Sequence, residues 1–168
     1  LTPALFEQYP AHDLIQVALE STDQRISENK PVTPAFLMAA FLWFPLQEET
    51  KRLQEEEGLF PLPALEKAMS QVIAHQNKHV SIPRRFGLMM REMWLLQYRF
   101  TKRQGHRAFL LMQHPRFRAA YDFLGLRTLV KEEDPALMTW WTTFQEVDDK
   151  EKRRMILEVS KGQKKKKT

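Results

Sequence analysis

One amphipathic segment decides the fold, and it reads PRRFGLMMREMWLLQYRFTKRQ at residues 83–104. At 100° per residue, its apolar side chains and one glutamine fall within about 120° of one another. Four of its basic side chains occupy a band about 80° wide on the opposite side. The segment therefore predicts a helix with one face toward the core and one cationic face. The core face comprises Phe86, Met89, Met90, Met93, Leu96, Gln97 and Phe100, and the basic band comprises Arg84, Arg91, Arg99 and Lys102.

Basic residues are concentrated in and just after this segment. Residues 84–118 contain nine Lys or Arg and a single acid, Glu92. The lysines of residues 161–168 number five, which leaves 12 basic and 20 acidic residues in the rest of the chain. A solvated helix usually intersperses both signs, so this segregation indicates a surface that binds a polyanion. The predicted contacts are Arg84, Arg85, Arg91, Arg99, Lys102, Arg103, Arg107, Arg116 and Arg118.

Two aromatic residues border the basic band. Trp94 and Tyr98 are spaced i, i+4 and lie beside Arg91. They could stack nucleobases, and we include them among the candidate contacts, although aromatics at helical spacing more often pack against a neighbouring helix. Arg116 and Arg118 fall in the first turn of a helix predicted to begin at Pro115, where a helix amino terminus favours a phosphate.

Length and composition limit the class of protein. A chain of 168 residues can bury a substantial core. The longest apolar run, Ala35–Phe44, has ten residues and is closed by Pro45, so no membrane span is expected. The absence of cysteine excludes disulfides and Cys-based zinc sites, and we expect a cytoplasmic location. Because the first residue is Leu1, we expect that the chain was part of a longer one.

The remaining patterns are helical. No alternating strand pattern occurs, so we predict an all-α fold of about seven to eight helices in a body at 1–160, with a Lys-rich disordered tail at 161–168. Trp140 and Trp141 point about 100° apart on a helix, so one should pack inward and the other should cover a neighbouring helix. Besides a short helical element at 2–10, the predicted helices are 11–29, 34–57 with a kink or stop at Pro45, 64–80, 83–104, 106–113, one from 115, 135–145 and 149–160.

No catalytic or metal site is evident from the residues. His75 and His79 have the i, i+4 spacing of two ligands, but no carboxylate lies between them as in the His-Glu-x-x-His motif. There is no glycine-rich phosphate loop and no Asp-x-Asp pair for two magnesium ions. We therefore expect no catalytic residue, metal or cofactor in this chain.

Several motifs resemble one family in order and spacing. These are Ile82–Phe86, Arg91–Trp94 with Leu96, Gln97 and Arg99, Arg103–Ala108 and His114–Leu124, with Pro34–Leu37, Ala39, Ala40 and Trp43 upstream and Trp140–Trp141 and Phe144–Gln145 downstream. Together they are similar to the C-terminal region of bacterial poly(A) polymerases, relatives of the CCA-adding tRNA nucleotidyltransferases. The tail departs from that pattern, because the family often ends in a longer arginine-rich extension and this chain ends in a lysine run.

The resemblance implies a function. Those enzymes transfer AMP from ATP to RNA 3′ ends in an amino-terminal head that holds two metal ions, with consequences for mRNA decay. None of the head's motifs is present here, so the resemblance implies an RNA-binding helical body that is inactive alone. ATP and magnesium would belong to the missing head, and the partners would be single-stranded RNA 3′ ends, that head and RNA-decay proteins. Two alternatives stay open: a free-standing basic helical adaptor, and the C-terminal part of a CCA-adding enzyme.

Overall fold

The computed structural model describes the backbone of residues 13–166. Within this range the protein is all-α, as the sequence predicted, and no strand occurs. The helix predicted at 2–10 lies outside the described residues, as do Lys167 and Thr168 at the end of the predicted tail. No helix in the described range is long and apolar enough to cross a membrane. The nine helices of that range are α1 (Asp13–Ser27), α2 (Pro34–Phe41), α3 (Trp43–Glu57), α4 (Pro61–Asn77), α5 (Arg84–Phe100), α6 (Arg107–Met112), α7 (Phe117–Leu129), α8 (Pro135–Glu146) and α9 (Asp149–Lys166).

The chain divides into two compact units, Leu1–Leu95 and Leu96–Thr168. Helix α5 contributes residues to both, and its core face is buried in each: Met93 belongs to the first unit and Phe100 to the second. The amphipathic segment at residues 83–104 therefore contributes to the core of both units.

In the first unit, the apolar run is divided between two helices. A continuous helix would place the Pro45 ring against the carbonyl of Phe41, and proline has no N–H to bond there. The backbone breaks at Leu42, with φ −95° and ψ 3°, and α3 starts again at Trp43. Pro45 consequently lies in the first turn of α3, so the break precedes the proline instead of following it.

Two helix ends in this unit follow the usual preferences of proline and glycine. Gly58 ends α3 with φ 67°, which confirms it as the predicted cap. Helix α4 begins at Pro61, earlier than the predicted Ala64, because proline is tolerated in a first turn where no N–H partner is needed.

Helix α5 is tied to α2 by Trp94, whose fully buried indole N–H donates to the Ala39 carbonyl over 3.1 Å.

In the second unit, aromatic side chains form the centre of the core. The Trp141 indole N–H donates to the carbonyl of Phe100 over 3.0 Å, and both side chains are fully buried. This bond satisfies a carbonyl at the end of α5, which stops at Phe100 and not at the predicted Gln104. The core cluster comprises Leu96, Phe100, Ala108, Leu111, Phe117, Ala120, Leu124, Leu137, Trp141, Phe144, Met155 and Ile156.

A polar network crosses this core. Gln97 is 3% exposed and donates its amide to the Ala120 carbonyl over 2.9 Å. Arg127, also buried, donates to the Gln97 side-chain oxygen over 3.0 Å. Its guanidinium also reaches the carboxylates of Glu132 at 3.1 Å and Glu133 at 3.2 Å. The network joins α5, α7 and the turn after α7, and it compensates a buried positive charge within the unit.

The last helix is longer than the sequence indicated. Gly162, the predicted end, lies inside α9, which continues to Lys166. A glycine inside a helix costs about 1 kcal/mol relative to alanine, whereas lysine is a favourable helix residue. For Lys167 and Thr168 the predicted disorder stays a prediction.

Replacing Arg127 by methionine should destabilise the second unit by about 3 kcal/mol, because the buried Gln97 oxygen loses its donor and two carboxylates lose their cation. Urea unfolding followed by circular dichroism measures this. The matched control is Arg154→Met, which removes the same charge from an exposed side chain paired with Glu151 and Glu158. An Arg127→Met midpoint equal to that of the control would contradict a structural role for the network.

Candidate nucleic-acid interface

The first unit carries three of the nine predicted cationic contacts. Arg84 and Arg85 are exposed in the first turn of α5, and the Arg85 guanidinium lies 4.9 Å from the Phe86 ring centroid. Arg91 is partly buried and donates to the Ser70 hydroxyl over 3.1 Å. Among the described residues, none of the three forms an ion pair, so their charges remain available to a ligand.

Trp94 does not belong to this surface, contrary to its place among the candidate contacts. Its side chain is fully buried and its N–H is used by Ala39. A ring without an exposed face cannot stack on a nucleobase, so the structure resolves the two interpretations of Trp94 in favour of packing.

In the second unit, three predicted contacts are exposed and have no acidic partner in the described part of the chain: Arg99, Lys102 and Arg107. Arg99 lies in the last turn of α5. Lys102 lies beyond the end of that helix and not on its basic band, because α5 is shorter than predicted. The Lys102 ammonium is 5.3 Å from the ring centroid of Tyr98, which is partly buried. Tyr98 therefore contacts a cation at the surface, as a residue of a binding face would.

The two arginines at the start of α7 differ from those three. Arg118 is exposed and pairs with Asp122 over 3.4 Å, so part of its charge is already compensated. Arg116 is the residue that precedes α7, and its backbone N–H donates to Nδ1 of His114 over 3.0 Å. The phosphate site predicted at this helix end stays a prediction, with one of its backbone donors used by His114.

Arg103 has the most unusual surroundings of the group. It is partly buried, its guanidinium lies 4.9 Å from the Trp140 ring centroid, and no carboxylate of the described residues pairs with it. Within that range its enclosed Nε has no hydrogen-bond partner. Burial lowers the pKa of Arg103 below its ordinary value, although an arginine remains charged at neutral pH. A charge that is desolvated and not compensated is a candidate for a ligand.

The structure confirms that one of the two adjacent tryptophans packs inward, whereas the covering of a neighbouring helix by the other stays a prediction. Trp141 packs in the core, while Trp140 is partly buried and stacks on Phe144 with centroids 4.7 Å apart and planes 13° apart. The two indoles also meet edge to face at 4.9 Å. The sequence did not assign Arg103 to Trp140, because a contact between residues so far apart in the chain leaves no local periodic signal.

Several cations outside this stretch form ion pairs. On α3, Arg52 binds Glu49 at 2.6 Å and Glu56 at 2.8 Å, and Lys67 of α4 reaches Glu57 at 2.5 Å. The unpaired contacts named above lie in a stretch, residues 84–118, that contains a single acid, Glu92.

His75 lies in the last turn of α4, and His79 follows just beyond the end of that helix. His75 and His79 contact each other edge to face, with centroids 5.4 Å apart. Within the described residues, no three His, Cys, Asp or Glu side chains are grouped so that they could hold a metal ion.

The described residues define an all-α chain that exposes unpaired cations in each of its two units. Comparison with known proteins makes the class specific. Residues 57–168 match the family described as polymerase A arginine-rich C-terminus. The chain belongs to this family, and it corresponds to the C-terminal part of bacterial poly(A) polymerases.

Individual relatives agree. The chain is 41% identical over 138 residues to poly(A) polymerase I of Escherichia coli O157:H7, covering 81% of this chain and 30% of that protein. Identity to the Salmonella typhi protein of that name is 40%, covering 87% of this chain and 32% of that protein. Identity to poly(A) polymerase I of Haemophilus influenzae is 35%, covering 88% of this chain and 33% of that protein. The chain thus spans about a third of the length of the curated relatives it matches.

All four tryptophans lie in the described range, and Trp140 is the one among them that is not buried. Acrylamide should therefore quench a single accessible component of the fluorescence, and Trp140→Phe should remove it. Trp43→Phe is the control, since it removes a buried indole and should leave that component in place. Quenching that persists unchanged in Trp140→Phe would contradict the placement of these side chains.

Proposed function

We propose that this chain is the RNA-binding C-terminal part of a bacterial poly(A) polymerase acting in the cytoplasm. The observation that carries the proposal is the exposure of Arg99, Lys102 and Arg107 without acidic partners among the described residues, inside the range that matches the family. Their role is to hold the RNA while AMP is added to its 3′ end by the rest of the enzyme.

The proposed attraction between these cations and RNA is electrostatic. Cations that face solvent and lack intramolecular carboxylates can replace the counterions of a phosphate backbone, and the released counterions favour binding. Cations such as Arg52, already hydrogen-bonded to two carboxylates, would first have to give up those bonds. Contacts with the phosphate backbone carry no base preference.

This chain and the rest of the parent enzyme would have different roles. This chain supplies affinity for single-stranded RNA, and adenylyl transfer from ATP with magnesium belongs to the other two thirds of the protein. Positioning an RNA end near a separate catalytic centre raises its effective concentration there. In the cell, the outcome would be polyadenylation of mRNA and its entry into decay.

Replacing Arg99, Lys102 and Arg107 together by glutamine should weaken binding to single-stranded oligoadenylate. If wild type makes about five phosphate contacts, its plot of log K against log salt has a slope of about −3.5, and the triple variant should be shallower by about 2. Fluorescence anisotropy at several salt concentrations measures both slopes.

The matched control removes three charges that are already paired, through Arg52→Gln, Lys67→Gln and Arg154→Gln. Net charge is then equal in the two variants, while the control should retain nearly the wild-type slope. A wild-type slope near zero would contradict RNA binding, and equal slopes for the two variants would contradict the assignment of these three residues.

The isolated chain, given ATP, magnesium and oligoadenylate, should not lengthen the RNA, because the nucleotidyl-transfer motifs lie outside it. Denaturing gel electrophoresis of end-labelled RNA provides the measurement, with a full-length poly(A) polymerase as positive control for the reagents. Products longer than the input RNA would disprove this division of labour.

A further inference from the structure

Arg103 differs from Arg99, Lys102 and Arg107 in being partly buried against an aromatic ring. Its guanidinium lies 4.9 Å from the Trp140 ring centroid and its Nε is enclosed by protein. Arg99, Lys102 and Arg107 are exposed instead. A long flexible side chain loses conformational entropy when a ligand immobilises it, and contact with a ring removes part of that loss beforehand.

Trp140 is itself fixed, so it is a firm support. Its ring stacks on Phe144 at 4.7 Å and meets the edge of Trp141 at 4.9 Å. Trp141 in turn is fully buried and bonded to the Phe100 carbonyl, shortly before Arg103 in the chain. The same pair of tryptophans thus fixes the end of α5 and supports the arginine that follows it.

The charge of Arg103 is desolvated without compensation. Its pKa is lowered by burial, and no carboxylate of the described residues opposes that effect. Arg127 provides the contrast within the same unit, because two glutamates and a glutamine accept its hydrogen bonds. A guanidinium in the state of Arg103 gains most from an anion that its planar fork can bind through two parallel hydrogen bonds.

We infer that Arg103 is a preorganised phosphate anchor for the RNA backbone, and that Trp140 is the residue that positions it. This inference rests on the proposed function and adds a hierarchy to it. The exposed cations attract the RNA over a distance, while Arg103 fixes one phosphate in a defined place. Trp140 acts through Arg103 and not by stacking on a nucleobase, since the guanidinium lies over its ring.

Anisotropy with fluorescein-labelled oligoadenylate and the whole chain tests the anchor. Arg103→Lys keeps the charge but loses the planar fork, and it should weaken binding about tenfold. The control is Arg154→Lys, an equal exchange at an exposed arginine that pairs with its own helix, which should change binding less than about twofold. Equal affinity of these two variants overturns the anchor.

A double-mutant cycle tests the role of Trp140. Trp140→Leu should weaken binding about fivefold in the wild-type background and hardly at all in an Arg103→Gln background, whereas Trp140→Phe should restore most of the loss. A merely structural tryptophan would weaken binding equally in both backgrounds. That equal weakening, with Arg103→Gln itself weakened, overturns the positioning role.

The chemistry of the ligand is tested by exchanging the bases. A phosphate anchor predicts the same loss for Arg103→Lys with oligouridylate as with oligoadenylate. A loss confined to oligoadenylate overturns the phosphate assignment in favour of base stacking on the guanidinium. If wild type binds neither oligonucleotide, the proposed function and the anchor both fail. If wild type binds and Arg103→Lys matches its control, the anchor alone fails.

Discussion

The hydrogen bond from the Trp141 indole to the Phe100 carbonyl is the constraint on which the second unit depends. It is made where neither side chain meets solvent, so breaking it would leave a buried donor without a partner. It fixes the residue at which α5 ends and the rotation of α8 about its axis. That rotation places the adjacent Trp140 at the edge of the core, with one contact to Phe144 and another to Arg103. The orientation of α8 therefore determines both the packing of Trp141 in the core and the contact of Trp140 with Arg103.

Paired and unpaired cations lie in different parts of the chain. On the helices rich in glutamate, several cations form ion pairs, as Arg52 does on α3 and Arg154 does on α9. The stretch from Arg84 to Arg107 contains almost no acid, and its cations face solvent, aromatic rings or, for Arg91, the Ser70 hydroxyl. Paired cations contribute little to stability at the surface and are poor ligands for a polyanion, whereas unpaired ones repel each other until an anion arrives. This stretch lies inside the range that matches the polymerase A arginine-rich C-terminus family.

Much of the fold could be predicted from local patterns, because a period of 3.6 residues and the positions of proline and glycine are properties of short segments. The core face of α5, the cap at Gly58 and the opposite roles of Trp140 and Trp141 all follow from such patterns. What could not be predicted depends on contacts between distant segments. The end of α5 is decided by Trp141, the burial of Trp94 by Ala39, and the state of Arg103 by Trp140. The basic residues of the candidate site could thus be predicted from the sequence, but their contacts and their burial could not.

The network of Gln97 and Arg127 also has an evolutionary meaning. Exchange of either residue alone would leave a buried polar group without a hydrogen-bond partner. The Gln97 amide donates to the Ala120 carbonyl and accepts from Arg127, and the Arg127 guanidinium also pairs with Glu132 and Glu133. Sequences that drift away from this arrangement must pass through a less stable ancestor or alter several of these positions at nearly the same time. Across homologous chains, these sites should therefore covary as a block, inherited or lost together, while the exposed residues around them diverge independently.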